Sequence, residues 1–170
     1  VDTAAADVPR AKELLKPEPV VAAEERHHVH PRERDRRKNA AFIRQGEWFF
    51  VPEKGLEVDE RMILRKEPLV RGKGKPHVAD ELFRCGGETV YVAGWTNEVV
   101  LTESEYRRKL QEDPSLKHGL WRIMTRNPEV YVRGRVRHPD HKTVTLRGWH
   151  RVYVNNERFE GKSVVSEFLD

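Results

Sequence analysis

The feature that most limits the fold is a long run of alternation from Glu129 to Glu157, EVYVRGRVRHPDHKTVTLRGWHRVYVNNE. Val130, Val132 and Val136 fall in one row with Gly134, and Tyr131, Arg133, Arg135 and Arg137 fall in the other. Successive side chains of a strand point to opposite faces, so this pattern predicts a half-buried strand with a basic outer face. His138-Pro139-Asp140-His141 then reverses the chain, because Pro presets φ for a turn and Asp favours one. The return run places Val144 and Leu146 inward and Thr143, Thr145 and Arg147 outward, and Gly148 permits a bend or bulge. A third run, Trp149 to Val154, alternates Trp149, Arg151 and Tyr153 with His150, Val152 and Val154. The three runs together predict a β-meander.

The rest of the chain reads as shorter strands between turn residues. Ala41 to Arg44 and Glu47 to Val51 flank Gln45-Gly46, and Pro52 closes the pair. Arg61 to Leu64, Leu69-Val70, His77 to Phe83, Glu88 to Val92 and Trp121 to Met124 are further strand candidates, with Ser163 to Leu169 a last edge strand. Thr102-Glu103-Ser104-Glu105 has the form of a capping box, which predicts a surface helix from Glu103 to about Gln111. The expected architecture is mainly β: a small antiparallel barrel or sandwich with one surface helix and an extended N-terminal arm. Residues 1–40 are read as that arm, a polar tail, and residues 41–170 as a single β-rich domain. If the arm is ordered, a partner or the domain itself is expected to hold it.

Charge sets limits on function. Of 170 residues, 32 are Lys or Arg and 28 are Asp or Glu, so a net charge of +4 is too balanced for a protein that only coats nucleic acid. Local patches must carry any argument about anionic partners. One cysteine, Cys85, excludes an internal disulfide and a thiolate metal cage, and points to a reducing compartment. It reads as a small core residue and not a nucleophile. No apolar run approaches the roughly 20 residues of a bilayer crossing. The first residues lack the basic-then-apolar pattern of a secretory leader, and the chain opens on Val1 and not Met, as a processed chain or a piece of a longer one would. The expected location is the cytoplasm, or an intracellular or phage-derived assembly, with no membrane partner.

Three segments together resemble a family of small, uncharacterised bacterial and phage proteins. They are Arg44-Gln45-Gly46-Glu47 with its apolar strand and Pro52, then Gly74-Lys75-Pro76-His77-Val78, then Tyr131-Val132-Arg133 leading to His138-Pro139-Asp140-His141 and Gly148-Trp149-His150-Arg151-Val152. The resemblance covers about residues 41 to 157. Lys75 stands where the family has the first histidine of a pair, and His150 where it usually has Tyr. The resemblance implies a grouping of residues and no reaction.

Two functional readings follow from the residues. The first is a non-enzymatic module that binds an anionic polymer, nucleic acid foremost, or serves as a subunit of a larger assembly. Its contacts would be Arg133, Arg135, Arg137, Arg147 and Arg151 on the sheet face, Lys73 and Lys75 in the loop from Arg71, and the basic arm from Arg32 to Lys38. Alternate residues of a strand are about 6.6–7 Å apart, close to the spacing of phosphates along a nucleic-acid strand. Tyr131 and Tyr153 would stack on bases. The bland alternative is a solvated face whose arginines pair with carboxylates across strands.

The second reading is a metal protein or hydrolase. His138 and His141 sit at the two ends of a tight turn. With His77 and Glu47 they make a three-nitrogen, one-carboxylate set suited to a divalent transition metal such as zinc, iron or manganese. The same set, assisted by Asp140, would also serve as a metal-free general acid/base pair. The bland alternative is a pair of exposed loop histidines. His27, His28 and His30 belong to the arm, and His118 stands alone.

Overall fold

The computed structural model describes residues 13–71, 74–94 and 99–156. The expected class holds: the chain is mainly β, in two antiparallel sheets. It divides into two compact units, and the division interleaves the chain. Among the described residues, one unit joins those up to Phe83 to residues 130–156, and the other contains Arg84–Glu129. The expected edge strand from Ser163 lies outside the described residues.

In chain order the strands are β1 (Ile43–Gln45), β2 (Trp48–Pro52), β3 (Leu64–Leu69), β4 (His77–Cys85), β5 (Glu88–Ala93), β6 (Val100–Thr102), β7 (Trp121–Arg126), β8 (Glu129–His138) and β9 (His141–Val154). The first unit is built on a six-stranded sheet, ordered β1-β2-β9-β8-β4-β3. β1 and β2 form a hairpin closed by Gly46-Glu47, with Gln45 opposite Trp48. Gly46 has φ +60 and Glu47 stays at negative φ, the signature of a II′ turn whose twist suits the flanking strands.

β9 corrects the expectation of a three-stranded meander. The second and third runs are one strand of 14 residues, paired to β8 on one side and to β2 on the other. Gly148, at φ +77, absorbs the irregularity as a bulge between the pairs Val132–His150 and Gly134–Leu146, so the chain needs no turn there.

The N-terminal segment also departs from the expected tail. α1 (Glu18–Arg26) and α2 (Pro31–Arg34) are helices. Val20 and Ala23 on α1, with Val29, bury against Ala41, Phe42 and Phe49. The apolar residues are few, but i, i+3 spacing puts them on one face, which is enough for a short docked helix. A buried charge network fixes the dock. Lys16 Nζ donates to both Glu24 carboxylate oxygens at 2.9 and 3.0 Å and to the Arg34 carbonyl at 3.0 Å. Asn39 Nδ2 donates to Glu24 Oε1 at 3.0 Å. Glu24 is fully buried and depends on Lys16 for its counter-charge, while Lys16, nearly buried, also pairs with Glu13 at 2.6 Å.

The second unit holds a three-stranded sheet, β6-β5-β7, and the helix α3 (Glu103–Glu112). α3 begins at the expected capping box: Thr102 Oγ1 accepts from Glu105 N–H, and Glu105 Oε2 accepts from Thr102 N–H. Tyr106 docks the helix, stacking on Tyr91 at 4.0 Å.

Because Lys16 also pairs with Glu13, it is the removal of Lys16 that leaves a buried carboxylate, Glu24, without its cation. Lys16→Ala is expected to lose about 3–5 kcal/mol of stability, measured by urea unfolding, far above the cost of Thr102→Ala at the exposed helix cap, about 1 kcal/mol.

Candidate metal centre

Three turns or strand ends of the first unit meet at one place. β4 begins at His77, the β8–β9 turn carries His138 and His141, and the β1–β2 turn carries Gly46. Gln45, the residue before that turn, is buried and joins the two hairpins. Its Nε2 donates to the Val136 carbonyl at 3.2 Å and to the Lys142 carbonyl at 2.8 Å, one on each arm of the β8–β9 hairpin. Lys75, just before β4, ion-pairs with Asp140 in the turn at 2.8 Å. A side-chain amide and an ion pair thus hold the turn from two sides. Sequence reasoning gave Gln45 no role, since a polar residue before a hairpin turn carries no sign of what it will reach.

One ring nitrogen from each of His77, His138 and His141 lies within 4.8 Å of the others. The rings are stacked, with centroids 4.2 Å apart for His77 and His138, 4.4 Å for His138 and His141 and 5.6 Å for His77 and His141. Gly46 makes the approach possible. A Cβ there would stand 3.2 Å from His77 Nε2 and 3.1 Å from His141 Nε2, so both nitrogens face the turn backbone.

His77 is the informative member. It is fully buried with Trp48 edge-on beside it at 6.1 Å, and among the described residues neither ring nitrogen has a hydrogen-bond partner. An unpaired buried polar atom costs about 1–3 kcal/mol, so two on one ring are a cost that packing alone does not explain. Burial pushes the His77 pKa down from 6.5 to about 4; the Glu47 carboxylate pulls it back up, while His138 and His141 push it further down. The imidazole is therefore neutral at pH 7, the form that binds metals, and no proton has to be displaced from it.

The other expected site residues take different places. Glu47 acts on His77 by charge and is not one of the converging groups. Asp140 is engaged by Lys75, which holds its carboxyl below the usual range, and its backbone N–H donates to His138 Nδ1 at 3.0 Å. His30 caps α2, with Nδ1 accepting from Arg32 N–H. Cys85 is half-buried beside Glu129, and His118 is exposed.

The arginine row carries its own counter-charges. Arg133 bonds Glu81 through Nε and reaches Glu60 at 3.5 Å, and its guanidinium lies over Trp149. Arg135 and Arg137 share Asp80, at 3.1 and 2.7 Å. The Asp80 carboxyl is lowered to about 2, first by the Arg135 backbone N–H and then by the two guanidiniums. Gly134, at φ +86, lets Asp80 in: a Cβ there would meet Asp80 Cβ at 3.0 Å. Arg151 lies over the rings of Tyr131 and Tyr153, and Arg147 is exposed. Lys73 lies outside the described residues. The β4 carboxylates come to the arginines because β4 is the neighbour of β8, a strand order that sequence reasoning did not supply.

No protein-family model, curated protein or solved structure matches the chain. Among the described residues no helix is long and apolar enough to cross a membrane.

Two outcomes test the geometry. Gly46→Ala puts a side chain at positive φ and against two imidazoles; it is expected to cost about 1–2 kcal/mol in backbone strain alone, seen in urea unfolding, with shifted His77 and His141 ring resonances. In the metal-free protein, the unfolded chain takes up a proton at His77 near pH 6.5 that the folded chain resists until about pH 4. Stability should therefore fall as pH drops through that window, by on the order of 3 kcal/mol, and His77→Phe should flatten the slope.

Proposed function

We propose that the chain binds one divalent transition metal through His77, His138 and His141, with a coordination position left for water. The observation that carries this reading is the buried His77 ring with two unpartnered nitrogens, set against two further imidazoles. A tetrahedral ion with ligand distances near 2.1 Å holds its nitrogens about 3.4 Å apart, so ring rotations of modest size close the cluster on an ion. Three neutral nitrogens and an open position are the arrangement that activates a bound water for hydrolysis, with Glu47 as the nearby carboxylate. The three segments that carry the family resemblance are the ones that supply Gly46, His77 and the His138–His141 turn.

Support for an anionic polymer on the sheet face is weaker. Arg133, Arg135 and Arg137 are matched by Glu60, Glu81 and Asp80 of the same chain, so few counterions would be released on binding.

Metal-free acid/base work by the same histidines is separable from metal binding. His138 Nδ1 accepts from Asp140 N–H. A ligating ring cannot keep that contact: Nδ1 either donates its lone pair to the ion or carries the proton displaced to it. Titration of the untagged protein with zinc is expected to saturate at one ion per chain and to shift the Asp140 amide resonance. His138→Ala and His141→Ala, both at half-buried positions, should abolish uptake. At a free zinc concentration 100 times Kd, unfolding should become harder by about 2.7 kcal/mol. No uptake, or uptake unchanged in both variants, rejects the metal centre.

A further inference from the structure

A cavity of about 470 Å³ opens beside the histidine cluster, with His141 in its wall. Its lining comes from the segment before β1, from β1 itself and from the start of β9. Four of the lining residues are cations, Arg37, Lys38, Arg44 and Lys142, and none of the described lining residues is acidic. Thr143 and Thr145 add hydroxyl groups. A second cavity of about 220 Å³ shares Arg37 and Arg44 and reaches Gly46, the residue against which His77 Nε2 and His141 Nε2 stand. Asp35 is the acid that lines this second space. The arginine row is matched by the carboxylates of β4, and the larger cavity draws its cations from other segments of the same unit.

We infer that this cavity is the subsite for a small ligand bearing a phosphate-type anion, placed so that its reacting end reaches the histidine centre. The role as a substrate subsite rests on the metal-centre reading, while the binding of the anion does not. A volume of this size suits a small molecule and not a polymer groove. Guanidinium groups offer paired donors that match phosphate oxygens, and ammonium and hydroxyl groups supply the remaining donors. Arg44 is held in place for this by its Nε–H bond to the Gly46 carbonyl at 2.8 Å and by the Phe49 ring at 5.0 Å from its guanidinium. The same Gly46 carbonyl belongs to the turn facing the imidazoles, so the cation and the cluster share one support.

The test uses inorganic phosphate as the probe, by calorimetry on the full chain, with chelator and then with zinc. Phosphate should bind the chelated protein, and the Arg37→Ala/Lys142→Ala double variant should weaken it at least tenfold. Both positions are exposed, so the variant should unfold at the same urea concentration as the parent. Lys117→Ala, in the second unit, should leave phosphate binding unchanged. Zinc uptake with no phosphate binding overturns the subsite and leaves the metal centre standing. Phosphate binding with no zinc uptake overturns the substrate role and the metal centre, and leaves an anion site. Equal weakening by Lys117→Ala shows charge-driven association only and overturns the subsite.

Discussion

The amide of Gln45 is the contact on which the site depends. One buried nitrogen bridges carbonyls on both arms of the β8–β9 hairpin, and so ties the turn that carries Asp140 to the turn that carries Gly46. Backbone carbonyls at the end of a hairpin can lack a ladder partner, and a side chain that satisfies two of them fixes how the hairpin leans. The lean sets where His138 and His141 stand. Gly46, next in the chain, removes the one side chain that would block them.

Within that frame His77 is a costly choice for a core position. Beside Trp48, an apolar residue of similar volume would fill the space without two unpaired nitrogens. The two imidazoles stacked close to His77 add to burial in holding that one ring neutral. Unpaired polarity and a left-handed turn residue, brought together where strands end, break local rules in the way that working sites do.

The two basic surfaces of the first unit illustrate how strand order decides what a charge can do. Arginines on β8 face a neighbouring strand that offers Asp80 and Glu81, so their charge is neutralised inside the molecule. Arg37, Lys38, Arg44 and Lys142 come from the β1 edge of the sheet and from the start of β9, and they line one cavity. Composition near neutrality hides both facts, since it sums over the chain and contains no positions.

Much of the β structure was legible because it is local. The alternation of Val130, Val132 and Val136, the Gly46 turn and the Thr102–Glu105 capping box are set by backbone sterics and by hydrogen bonds between near neighbours. The histidines were legible as a set because His138 and His141 share a turn; His77 joined them through a resemblance of segments and not through spacing. The docked N-terminal helices were missed, since their hold depends on a buried Lys16–Glu24 pair that looks in sequence like two ordinary surface charges. The continuous β9 was missed because a glycine bulge and a glycine turn share one signal. By itself, then, the sequence determined which segments extend, where they turn and which residue types were at hand. The order and register of the strands decided that three imidazoles meet over Gly46 while three arginines meet carboxylates, because those approaches join residues tens of positions apart, and only packed strands bring such residues within reach.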